Sequence, residues 1–91
     1  MEGTPAQIDV TVLERELSSI PNVVAVHDLH VWTISSGVDA MSGHVVVADA
    51  VQSRTVLLSI RETLTNKFGI AHSTIEIEDA ALRASEMNRA I

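Results

Sequence analysis

Two β-branched runs lie on either side of a stretch too short to be anything but a turn. The first extends from Asn22 to Ser35 and carries Val23, Val24, Val26, Val31, Thr33 and Ile34. The second covers about Ala40 to Ala48 around Val45-Val46-Val47. Between them stands only Ser35-Ser36-Gly37-Val38-Asp39, which is turn chemistry. β-branched residues at this density favour extended chain over helix. A connection of this length cannot make a crossover, so the two strands must run antiparallel as a hairpin. Whatever flanks the hairpin then has to cover one of its faces.

The flanks read as helices. Val10, Leu13, Leu17 and Ile20 recur at helical spacing, while Glu14, Arg15 and Ser18 face away. This helix should end at Ile20, because Pro21 disfavours helical geometry in the residue before it. Thr4-Pro5-Ala6-Gln7 has the pattern of a helix start, and Asp9 offers a second cap for the main run. Beyond the hairpin, Val56, Leu57, Ile60, Leu64 and Phe68 form one stripe within 49–68. Asp49 or Ser53 can cap it, and Gly69 sits where a helix-ending glycine belongs. Residues 70–78 then alternate, with Ser73, Ile75 and Ile77 on one side and Thr74, Glu76 and Glu78 on the other. That predicts a half-buried strand with one wet face.

The expected order is α-β-β-α-β. It is an α+β fold, an open-faced two-layer sandwich with a three-stranded sheet and two helices on one face. Residues 1–80 form the domain. The Ala-rich tail 81–91, with Leu82 and Met87, reads as a short helix or a frayed end. An uncovered sheet face and open strand edges call for a partner, and a second copy of the chain is the expected one.

Composition narrows the function. Twelve acids against six bases give a formal charge of −6, and Arg15 is the only basic residue among the first 53. Nucleic acid needs a clustered basic surface and usually stacking aromatics, whereas Trp32 and Phe68 are the only aromatics here. The same charge argues against docking on an anionic membrane surface. No cysteine is present, so disulfides, thiolate metal sites and thiol nucleophiles are out. No apolar run approaches the roughly 18 residues of a membrane span, and no signal peptide is visible at Met1-Glu2-Gly3-Thr4-Pro5. The chain therefore reads as soluble. It has no phosphate-binding glycine loop, no nucleophile elbow and no HExxH, so an enzyme is not expected.

Four histidines remain: His27, His30, His44 and His72. A lone surface histidine usually does nothing. Here His27 on the first strand and His44 on the second fall where the hairpin brings them close. His72 enters the third strand and shares parity with Glu76 and Glu78. Two or three imidazoles with a carboxylate suit zinc or a neighbouring divalent ion. On a regular strand His27 and His30 point to opposite faces, and both could serve one site only across a bulge.

The run Val26-His27-Asp28-Leu29-His30-Val31-Trp32 resembles the start of the cytoplasmic C-terminal domain of the cation diffusion facilitator family, the CzcD-like zinc, cadmium and cobalt exporters. The similarity continues through Ile20-Pro21-Asn22-Val23, Gly43-His44-Val45-Val46-Val47, and the run from Phe68 through His72-Ser73-Thr74-Ile75-Glu76-Ile77-Glu78. It covers roughly residues 1–80. It implies a metallochaperone-like, ferredoxin-like αββαβ domain below a membrane antiporter, continuous with that membrane part on its cytoplasmic side. It also implies a homodimer drawn together by Zn2+, with Cd2+ and Co2+ as further candidates. The metal ligands it carries over are His27, His44, His72 and Glu78. One departure is that only Ser73 separates His72 from Thr74, where some relatives have one residue more. His30 is expected to bond within the sheet or to a partner, and Trp32 to pack. A different class using similar open sandwiches is an ACT-like small-molecule-binding regulatory dimerisation module. The glycine turns such a site needs are matched here only by Ser36-Gly37.

Overall fold

The computed structural model describes residues 8–80. Helix α1 (Val10–Ser18) is followed by strands β1 (Val23–Ser35) and β2 (Val38–Val47), helix α2 (Ser53–Phe68) and strand β3 (His72–Asp79). The predicted order and architecture are what the structure has. The alternative helix start at Thr4 and the tail 81–91 lie outside the described residues.

Asp9 caps α1, its carboxylate accepting from the N–H groups of Thr11 and Val12 at 2.9 and 3.3 Å. The helix stops at Ser18, two residues short of Ile20. Asn22, after Pro21, turns the chain with φ of 74°. The β1–β2 connection is tighter than expected, because β2 starts at Val38 opposite Ser35, and Gly37 takes the left-handed conformation at φ 76°. Neither predicted residue caps the second helix directly: Gln52 stands at its N-terminal cap position and makes no side-chain capping bond. Asp49 caps a short 3-10 turn, Ala50–Gln52, and the Ser53 hydroxyl donates to the Ala50 carbonyl at 2.7 Å as the α-helix begins. Gly69, at φ 66°, closes α2 by donating back to the Thr65 carbonyl.

The sheet order is β1-β2-β3, with β1 antiparallel and β3 parallel to β2. Its covered face supplies Val31, Met41, Val45 and Val47. These pack on Leu13 and Leu17 of α1 and on Val56, Ile60 and Leu64 of α2. Both helices therefore lie on one face. By alternation, the other face presents His27, Trp32, Ala40, Ser42, His44, His72, Thr74, Glu76 and Glu78.

A β-bulge shapes that face. His27 pairs with His44 and His30 with Ser42, so three steps along β1 match two along β2. Asp28 absorbs the extra residue with φ of 55°. Leu29 turns to the helix side and lies over Gly43, where a Cβ would stand 3.2 Å from Leu29 Cδ1. The bulge puts His27 and His30 on the same face. The opposite-face arrangement of a regular strand does not occur.

Candidate metal centre

The sheet face that no described helix covers gathers three of the residues expected to bind metal. His27 comes from β1 just before the bulge, His44 from the rung opposite it, and Glu78 from the far end of β3, where it pairs with Val46. One donor atom from each lies within 4.8 Å of the others. The imidazole rings are 4.8 Å apart and inclined at 52°.

Glu78 is the unusual member. Alternation predicts it on a wet face, yet it is only 1% exposed, whereas Glu76, two residues earlier on the same face, has a side chain 57% exposed. Its two oxygens are split between the histidines. Oε1 accepts from His27 Nε2 at 3.0 Å and Oε2 from His44 Nδ1 at 3.1 Å. A buried carboxylate is costly unless paired or holding a metal. Two imidazoles bring donors and, when neutral, no countercharge.

The far nitrogen of each ring also meets a carboxylate. His27 Nδ1 lies 3.3 Å from Asp28 Oδ2, and His44 Nε2 lies 3.6 Å from Glu76 Oε1. In metal sites such outer carboxylates fix the tautomer and aim the ring. The four residues carried by the resemblance include neither Asp28 nor Glu76. The adjacency of Asp28 to His27 and the shared parity of Glu76 and Glu78 are the signals that point to them.

His72 stands elsewhere. It opens β3 opposite Ala40, six residues before Glu78, roughly 20 Å away at about 3.3 Å per residue. His30 is on the same face as His27, beside a hollow of about 330 Å³ that Ser42, Thr74 and Glu76 also line.

The donor set suits a divalent ion such as zinc. Imidazole nitrogen and carboxylate oxygen are its common non-thiolate ligands, and a tetrahedral ion held at about 2.0–2.1 Å places its ligands roughly 3.4 Å apart. Three protein donors leave a fourth position open.

An α+β open sandwich with a His–Glu–His cluster on its bare face defines the class of domain. Residues 5–80 match the family described as cation efflux protein, cytoplasmic domain, and the chain belongs to that family. It is 43% identical over 84 residues to a cadmium, cobalt and zinc/H(+)-K(+) antiporter of Bacillus velezensis, covering 89% of this chain and 26% of that protein. Identity to the vacuolar zinc transporter TgZnT of Toxoplasma gondii is 42% over 78 residues, covering 86% of this chain and 9% of that one. The fold matches the metal-bound C-terminal domain of the CzcD transporter from Cupriavidus metallidurans with a TM-score of 0.71 at 34% identity, over 78% of this chain and 99% of that chain. The chain thus spans about a quarter or less of the length of these transporters. No helix among the described residues is long and apolar enough to cross a membrane.

Proposed function

We propose that this domain is the metal-responsive, dimerising cytoplasmic part of a divalent-cation efflux transporter, with no catalytic role of its own. It holds a zinc-type ion at His27 Nε2, His44 Nδ1 and a carboxylate oxygen of Glu78, with Asp28 and Glu76 orienting the two rings. Cadmium and cobalt suit the same donors. The ion supplies positive charge that ties all three strands together, and two copies of the chain pair through the uncovered face. Transport belongs to a membrane part joined to this domain. The observation that carries the reading is the buried Glu78 carboxylate, divided between two imidazoles from different strands.

Thermal melting with zinc tests it. A ligand bound only by the folded form adds about 2.7 kcal/mol at a hundredfold excess over its Kd, which is a rise of roughly 10–20 °C for a domain of this size. His27→Ala or His44→Ala should each remove most of that rise, and the double variant should lose little more. His72→Ala should keep it. If the two single losses add as independent sites, or the rise survives both changes, the shared site is wrong.

A further inference from the structure

The sheet is uneven at the end away from the metal cluster. Strand β3 begins only at His72, opposite Ala40, so the rungs of β2 at Val38 and Asp39 have no third strand beside them. The notch so formed is a cavity of about 550 Å³, within the size range of small-molecule sites. On the bare face the small side chain of Ala40 lies in a row between Trp32 on β1 and His72 on β3. Ile34 extends the apolar wall, and Arg61 and Thr65 enter from α2.

The charge of this lining runs against the rest of the chain. The protein has twice as many acids as bases, yet none of the described residues lining the notch is acidic. Arg61 forms no ion pair among the described residues, whereas Lys67 on the same helix is paired with Glu16 at 2.7 Å. With one imidazole and no carboxylate, the notch lacks the donor set of a cation site. A guanidinium instead suits a planar or tetrahedral anion, which it can grip with two parallel hydrogen bonds.

We infer that the notch between the start of β3, the β1–β2 hairpin and α2 is a binding site for a small organic anion. The carboxylate or phosphate group would lie on Arg61, with Thr65 and His72 at hand as further donors. The apolar body would lie in the slot over Ala40, against Trp32 and Ile34. This site is separate from the His27–His44–Glu78 cluster and does not depend on it.

Trp32 is the chain's only tryptophan and there is no tyrosine, so intrinsic fluorescence reports on this wall directly. The 91-residue chain is titrated with hexanoate, hexyl phosphate and uncharged hexanamide. The expected result is a saturable change with one or both anions and affinity for the amide weaker by about tenfold or more, the loss of one charge-assisted contact. Whichever anion binds tighter identifies carboxylate or phosphate as the preferred head group. Arg61→Gln should weaken anion binding by a similar factor, Arg61→Lys should restore part of it, and Arg54→Gln, on the same helix but away from the notch, should leave it unchanged. Several results would overturn the assignment: no saturable change, equal affinity for amide and anion, an unaltered Arg61→Gln variant, or an equal loss in Arg54→Gln. The ligand comparison needs no variant, so it stands even if Arg61→Gln folds poorly.

Discussion

At the scale of single residues, the proposed site expects Glu78 to work against the stability of the metal-free domain and in favour of metal binding. A carboxylate shut off from water is expensive to bury, and neutral imidazole donors offset only part of that cost. Glu78→Gln keeps the shape and removes the charge. The amide oxygen can still accept from His27 Nε2, while the amide nitrogen can donate to His44 Nδ1. That exchange moves the His44 proton to Nε2, which faces Glu76, so a partner is ready for it. The metal-free stability of Glu78→Gln should therefore change by no more than about 1 kcal/mol, and zinc should lose its stabilising effect. Urea unfolding with and without zinc measures both. A variant destabilised by several kcal/mol without metal would mean that Glu78 is a structural group, and a retained zinc effect would mean the ion sits on other donors.

At the scale of elements, helix ends and strand irregularities differ in how plainly they are written in the chain. Asp9 is an exposed cap with two backbone donors on one oxygen, and Asp9→Ala should cost about 1 kcal/mol. Lys67→Ala should cost less, since its bridge to Glu16 is mostly solvated. Denaturant midpoints of the two variants test the order, and an equal or larger loss for Lys67 would overturn it. The α2 stripe of Val56, Ile60 and Leu64 was legible because burial on one helix face forces that spacing, and all three are core residues. The bulge at Asp28 was legible only as a condition. Nothing local in His27-Asp28-Leu29-His30 demands an extra residue, and the reason lies across the strand at Gly43, whose missing side chain leaves room for Leu29. Pairing register is a tertiary property, so the third strand's alternation set the facing of Glu78 correctly but not its burial. His72 shares that facing yet stands far along the strand. Face is written in parity, whereas distance along a strand needs the register.

At the scale of the whole molecule, the cluster joins parts of the chain that are remote in sequence. Glu78 meets His27 across 51 residues and His44 across 34, so an ion held there would engage every strand of the sheet. Metal binding should then stabilise the global fold and not only one loop. Both described helices lie on the opposite face, so the face that carries His27, His44 and Glu78 is the one proposed to meet a second copy. An uncovered sheet face on so small a core favours pairing. The chain is expected to sediment at about twice its own mass at micromolar concentration once zinc is present, because the ion also neutralises acidic charge that two facing copies would set against each other. Protons compete with the ion for its imidazole ligands, which must be neutral to bind, so lowering the pH from about 7.5 to about 5.5 should reverse this. Sedimentation across that range, with and without a chelator, measures the effect. A strict monomer at every pH and zinc level would refute the pairing. A dimer indifferent to both would separate pairing from the metal and leave His27, His44 and Glu78 as a site within one copy.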